Sequence, residues 1–289
     1  IFFIIRHFMK SVFCQFNIQF SVQMIKFMAK RPCKQAFAFH FELVHIFIKR
    51  PHFYTVRSCN DSEFSRYASM ETLRQGFLPV RGGFRVGLCG SAVMKDGAVT
   101  NLKQISSAVI RISREQRGIA WDIAPRLFRD GRFRSTLLLS PPGGGKTTLL
   151  RDLVRQMSGG DGVPPQRITL VDERGEVEVM YRGQPQMDVG PRTDVLDGCP
   201  KAQAIPMVLR AMNPQIIAVD EITVREDLQS MAQAAGCGVS LLATIHAAST
   251  AELEQKPLYR ELLANRVFRQ AVLIRVTPEG RTYTVEDLP

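Results

Sequence analysis

Paired cysteines are the first thing this sequence lacks. Its six cysteines, Cys14, Cys33, Cys59, Cys89, Cys199 and Cys237, are scattered through 289 residues. None forms a CxxC pair and no histidine stands at zinc-ligand spacing, which excludes a zinc module and points to reduced thiols in a cytoplasmic protein. A long apolar run is missing too. The longest N-terminal stretch without a formal charge, Ser11 to Ile25, is interrupted by Gln15, Asn17, Gln19 and Gln23 and is too short to cross a bilayer. Acid and glycine are scarce at the front: residues 1–60 hold no Gly, and Glu42 alone faces nine Lys/Arg. The remainder carries 29 bases and 26 acids, so the net charge of +11 belongs mostly to the front. A nearly balanced body argues against nucleic acid as a partner.

Residues 1–60 are rich in Phe, and their apolar positions keep neither a helical nor a strand period. They read as an atypical basic extension, poorly specified and translated from upstream of the true start. An amphipathic anchor at a membrane surface is the alternative. From residue 61 to 118 short apolar runs alternate with turn residues: FLPV, Gly82-Gly83, FRVGLCGSAVM, Lys95-Asp96-Gly97, then AVTNL and AVIRIS. Gly-Gly and Asp-Gly between such runs predict hairpins, hence a small α+β domain with an antiparallel sheet. Residues 119–289 form the second unit. After a helix expected over Trp121 to Arg134, five apolar runs follow at 135–140, 167–172, 215–220, 238–246 and 271–276. Their continuity predicts an α/β domain whose parallel sheet is covered by helices on both faces.

Chemistry concentrates in SPPGGGKTTLLRDL, residues 140–153, which follows a strand and opens an amphipathic helix. That is the context of a phosphate-binding loop, GxxxxGK[ST], with Ser140 in place of the first Gly. Ser140, Pro141, Pro142, Gly143, Gly144, Gly145, Lys146, Thr147 and Thr148 are the expected nucleotide-binding residues. Glycines let the backbone wrap the phosphates and aim its N–H groups at them. Lys146 is placed to reach the β- and γ-phosphates, and the Thr147 hydroxyl to ligate Mg²⁺. A second run, QIIAVDEIT, ends in Asp220, suited to the Mg²⁺ shell, and Glu221, suited to orient and polarise the attacking water. The expected cofactors are therefore ATP and Mg²⁺.

Other strand ends carry weaker signals. Thr244 and His246, closing ATIH, are candidates for sensing the γ-phosphate. VDERGE sets Asp172, Glu173 and Arg174 at a strand end, and the Gly/Pro-rich DVGPRTDVLDGCPK supplies Arg192, Asp194 and Asp197. Arg174, Arg192 and Arg225 are all arginine-finger candidates, and nothing in the sequence ranks them.

From about Glu71 onward the chain resembles the stage III sporulation AA family. The likeness rests on LRQGFLPVRGGFRVGLCGSAV, LLLSPPGGGKTTLLRDL, VDERGE, VGPRTDVLDGCPKA and IIAVDEI followed by ATIHAAS. The resemblance implies a secretion-type ATPase with a RecA-like P-loop domain behind a small N-terminal domain. It implies assembly as a hexameric ring, placement in the mother cell, peripheral to the inner face of the membrane, and membrane-embedded sporulation channel proteins as partners. Lys146, Thr147, Asp220 and Glu221 fall on the family's nucleotide-site positions. Rival readings of the same loop are a small-molecule kinase, a nucleotide-gated scaffold with little turnover, and a P-loop motor stimulated by nucleic acid.

Overall fold

The computed structural model describes residues 43–47, 76–111, 115–181 and 183–289. Chain contacts divide into two units, Ile1–Ser113 and Arg114–Pro289. In the first, strands β1 (Leu43–Phe47), β2 (Phe77–Val80), β3 (Phe84–Lys95) and β4 (Ala98–Arg111) form an antiparallel sheet in the order β1-β4-β3-β2. Both expected hairpins are present. Asp96 and Gly97 take φ of 53° and 77°, the paired positive values of a tight two-residue turn whose twist matches the strands it joins. Where the β3–β4 register shifts between Cys89 and Ser91, Gly90 packs so closely that a Cβ would lie 2.6 Å from the Lys103 carbonyl oxygen. Val86 and Leu88 are buried with Leu78, Leu102, Ile105 and Ala108 packed around them. β1 falls inside the segment that the sequence marks as an extension. Its backbone pairs antiparallel with β4, Leu43 opposite Arg111 through Phe47 opposite Ser107. The helical part of the α+β reading lies outside the described residues.

The second unit opens differently from the sequence expectation. No α-helix forms over Trp121 to Arg134; a 3-10 turn at Ala124–Leu127 leads into a small hairpin of β5 (Phe128–Arg129) and β6 (Arg132–Phe133). Pro125 cannot continue the hydrogen bonding of a long helix, and Asp130-Gly131, at φ of 51° and 72°, makes the two-residue turn.

The chain then builds β7 (Thr136–Ser140), α1 (Lys146–Gly159), β8 (Ile168–Asp172), the short pair β9 (Met180–Tyr181) and β10 (Gln184–Pro185), β11 (Thr193–Asp197) and α2 (Lys201–Ala211). It continues through β12 (Ile216–Val219), α3 (Arg225–Gly236), β13 (Ser240–His246), α4 (Thr250–Gln255), α5 (Pro257–Ala264), β14 (Gln270–Thr277) and β15 (Gly280–Asp287). The sheet order is β11-β8-β12-β13-β7-β14-β15, parallel except for β15.

Alternation explains why the central strands are apolar throughout. Leu137 and Leu139 join one core with Ala204, Ile205, Leu228, Met231 and Leu262, from helices α2, α3 and α5. Leu138, between them, points to the other face and packs with Leu149, Leu150, Leu153 and Met157 of α1. Each face is thereby covered by helix, as the continuous runs require. Two strands escape the sequence reading. β11 lies at one edge and shows only partly buried and exposed positions, and β15 at the other edge does the same, so neither carries a continuous apolar run.

Leu153 is fully buried at the centre of the α1 face. Leu153→Ala should destabilise the protein by about 2–5 kcal/mol through lost transfer energy and a residual cavity. A urea titration should show a lower midpoint at unchanged slope, and an unshifted midpoint would mean that α1 does not pack on the sheet as described.

Candidate functional site

The register of the parallel strands brings the signal-bearing residues together. Ser140 at the end of β7 lies opposite His246 at the end of β13. Val219, last in β12, lies opposite Ala243 of β13 and Val171 of β8, so Asp220 emerges beside Thr244 and Asp172. These residues gather at the carboxyl ends of the parallel strands, where the 140–146 loop turns into α1.

Within the loop, Gly143 and Gly145 have φ of 76° and 99°, which disfavour a side chain. A Cβ on Gly144 would lie 1.5 Å from Ser140 Oγ, so Ser140 leaves room for the backbone alone. Pro141, Pro142 and Gly143 are exposed and Ser140 is buried. Gly145 starts α1, and the first turn has neither a side-chain cap nor an acidic residue. Its leading N–H groups and the positive end of the helix dipole suit an anion brought from outside. Thr148 lies half-buried in that turn.

Lys146 is buried, and all three of its N–H bonds are directed. Its Nζ donates to the carbonyls of Ser140 at 2.7 Å and Pro141 at 3.0 Å, and meets His246 Nδ1 at 2.8 Å. Burial lowers its pKa to about 8, against the opposing pull of Asp220 and Glu221. Because the ammonium only donates, His246 Nδ1 accepts, which assigns the ring proton to Nε2. That Nε2 lies 3.0 Å from Glu221 Oε1, and the other carboxylate oxygen, Oε2, accepts from Arg174 at 2.8 Å. Lys146, His246, Glu221 and Arg174 thus form one continuous chain.

Asp220 closes a second set of bonds. Its Oδ2 accepts from the Thr147 hydroxyl at 3.1 Å and its Oδ1 from the Thr244 hydroxyl at 2.8 Å. The Glu221 N–H is shared between Thr244 Oγ1 at 2.9 Å and Asp220 Oδ1 at 3.1 Å, holding Glu221 at φ of 28°. Thr244 is therefore fully buried and occupied with fixing the acidic pair, a role the sequence does not reveal.

The donor set fits Mg-ATP. Mg²⁺ is usually held by one or two carboxylate or hydroxyl groups together with phosphate oxygens and water. Thr147 and Asp220 are such a pair, already in contact. Among the described residues no group of three or more His, Cys, Asp or Glu side chains forms a metal site complete in itself.

Other expected residues lie apart from this group. Arg192 packs at the far end of α1, donating to the carbonyls of Ser158 at 2.9 Å and Gly159 at 3.4 Å, where a cation complements the helix C-terminus. Within its own chain it does not approach the loop. Arg225 pairs with Glu261 at 2.8 Å, and Glu173 with Lys201. Asp172 faces inward and accepts the N–H groups of Glu176, Val177 and Glu178, tying the VDERGE turn; burial is the main cause of its raised pKa. Asp194 and Asp197 belong to β11. One residue beside the loop was missed altogether: Arg281 of β15, whose Nε donates to the Gly144 carbonyl at 2.8 Å.

The model of the family "Sporulation stage III, protein AA" matches residues 55–286. The chain belongs to this family. It is 40% identical over 228 residues to Stage III sporulation protein AA of Bacillus subtilis (strain 168), covering 78% of this chain and 74% of that protein. Among solved structures, the pilus retraction motor PilT with bound ADP superposes with a TM-score of 0.52 at 15% identity, over 93% of this chain and 83% of PilT. The DotB ATPase of Yersinia pseudotuberculosis gives 0.51 at 15% identity, over 92% of this chain and 77% of its own. At such identity the likeness speaks for the fold alone, a RecA-like α/β fold. No helix among the described residues is long and apolar enough to cross a membrane.

One buried acid behind the site generates a pH test. Glu178 Oε2 has no hydrogen-bond partner, and burial, reinforced by Asp172 and Asp197, raises its pKa from 4.5 to about 7. The folded protein keeps a proton that the unfolded chain releases, so this contribution is complete below about pH 4.5 and fades as pH rises to about 7. Glu178→Gln stays neutral throughout. Urea midpoints measured near pH 5 and pH 7.5 should therefore shift in the variant's favour at the higher pH, whereas parallel profiles for the two proteins would contradict it.

Proposed function

We propose that this chain is an ATP hydrolase that binds Mg-ATP at the 140–148 loop. The observation that carries the reading is the contact between the Thr147 hydroxyl and Asp220, one residue after Lys146 and one before Glu221. It joins the two halves that phosphoryl transfer to water needs, a phosphate cradle and a carboxylate for the nucleophile.

In this reading the glycine-rich backbone and the first N–H groups of α1 hold the phosphates. Lys146 exchanges its bonds to the Ser140 and Pro141 carbonyls for phosphate oxygens. Thr147 and Asp220 hold Mg²⁺, which supplies neutralisation of the charge that develops on the phosphates. Glu221 orients the attacking water and accepts its proton on a carboxylate oxygen, while His246 and Arg174 on its two oxygens fix where the carboxylate stands. Thr244 sets the backbone from which Glu221 projects.

The family's sporulation name supports a role in that process, and its secretion-ATPase fold supports a ring, six-membered in this proposal, acting at the mother-cell face of a membrane on an embedded channel complex. An arginine from a neighbouring subunit completes each site. Arg225, exposed and outside the chain's own site, can serve. A nucleotide-gated scaffold is the second reading, favoured by one observation: both Glu221 oxygens are bound to side chains, which restrains them from water.

Two measurements separate these readings. Glu221→Gln should bind Mg-ATP with near-parental affinity yet lose about 10²- to 10⁴-fold in phosphate release, the usual contribution of a base or water-positioning group. Hydrolysis at the parental rate would remove Glu221 from the chemistry; absence of turnover in the parent, even at high protein concentration where subunits associate, would favour the scaffold.

A further inference from the structure

The last hairpin reaches past the end of the strand it pairs with. β14 runs parallel to β7 from Gln270 opposite Thr136 to Leu273 opposite Leu139, then continues to Thr277. β15 returns antiparallel, with Arg281 opposite Val276. Val276 stands three residues beyond the last β7 pairing, about 10 Å further along at the usual strand rise. The overshoot carries Arg281 to the level of the phosphate loop.

There its guanidinium meets the loop backbone. Nε donates to the Gly144 carbonyl oxygen at 2.8 Å. The adjoining Gly145 has φ of 99°, and a Cβ built on it would lie 2.8 Å from the same Nε and 3.2 Å from Cζ. In a planar trans peptide the C=O and N–H point to opposite sides. Drawing the Gly144 oxygen toward β15 therefore turns the Gly145 N–H away from β15. The Gly144 N–H is tied inside the loop, donating to the Pro141 carbonyl at 3.2 Å, and the Gly145 carbonyl starts the helix by accepting from Leu149 at 3.0 Å. With both neighbours fixed, the Gly144–Gly145 peptide is the unit whose orientation Arg281 decides. Glycine on both sides makes this peptide easy to flip, so an external anchor matters more here than elsewhere.

We propose that Arg281 is a positioning residue for the nucleotide loop, holding the Gly144–Gly145 peptide so that the Gly145 N–H faces a nucleoside polyphosphate. The inference rests on the nucleotide reading given under Proposed function. Arg281 acts through the backbone of the loop, at the Gly144 carbonyl. Its effect is preorganisation, because a loop that is competent only part of the time binds more weakly in proportion to that fraction.

The test is calorimetric titration of Mg-ADP into the full chain, with steady-state hydrolysis alongside. Arg281→Ala should raise the Kd for Mg-ADP about tenfold, corresponding to a competent fraction near one in ten. KM for Mg-ATP should rise by the same factor with kcat little changed, the signature of lost binding common to ground and transition states. Arg281→Lys, which keeps a charged donor, should lie between, and guanidinium at low millimolar concentration should restore part of the affinity of Arg281→Ala. Arg275→Ala removes a charge from the same hairpin without a bond to the loop and should bind as the parent does. Parental Kd in folded Arg281→Ala overturns the proposal, as does an equal loss in Arg275→Ala. If Arg281→Ala does not fold, Arg281→Gln takes its place and parental affinity in it is equally fatal. A parent chain that binds no Mg-ADP would instead bring down the nucleotide reading itself, a result distinct from parental affinity in the variants.

Discussion

The site depends on the register of four parallel strands. Their hydrogen bonds set Ser140 of β7 opposite His246 of β13, and Val219 of β12 opposite both Ala243 of β13 and Val171 of β8. Slipping one strand by a single residue would exchange its side chains between the two faces and move its terminal polar group to the opposite face. Both apolar layers oppose that slip, since Leu137 and Leu139 serve one core and Leu138 the other. Packing energy on both faces of the sheet is thereby converted into ångström-level placement of Asp220, Glu221 and His246.

Given that placement, the polar groups complete one another's hydrogen bonding. Thr244 illustrates the economy: one hydroxyl donates to Asp220 and accepts from the backbone of Glu221. Buried polar groups in a region of low dielectric lose heavily when unpaired, so such a network is rigid once formed. Lys146 adds its own constraint. Its three donors are satisfied by two carbonyls and a ring nitrogen, and burial lowers its pKa to about 8.

Much of this was legible because the relevant signals are local. Continuous apolar runs marked the central strands, and Gly143 to Thr147 marked the loop by residue type alone. The parts that were not legible depend on partners distant in sequence. β11 and β15 lack apolar continuity because edge strands bury less, and Trp121 to Arg134 reads as helix until Pro125 and Asp130-Gly131 are weighed as stop and turn. Arg192 is an arginine-finger candidate by its setting in a Gly/Pro-rich loop, and no motif tells that its neighbours within the chain are the last carbonyls of α1. Arg281 stands 137 residues from the carbonyl it holds, a separation that no motif spans.

Arg192 and Arg281 have a joint mechanical meaning. Helix α1 has 14 residues, a rod of about 21 Å at 1.5 Å per residue. The loop at its N-terminus is tethered to the final hairpin through Gly144, and its C-terminus to the chain entering β11 through Ser158. These two anchors belong to opposite edges of the same sheet. Helix α1 is thus a strut tied at both ends, so that one rigid element links the phosphate loop with the chain entering β11.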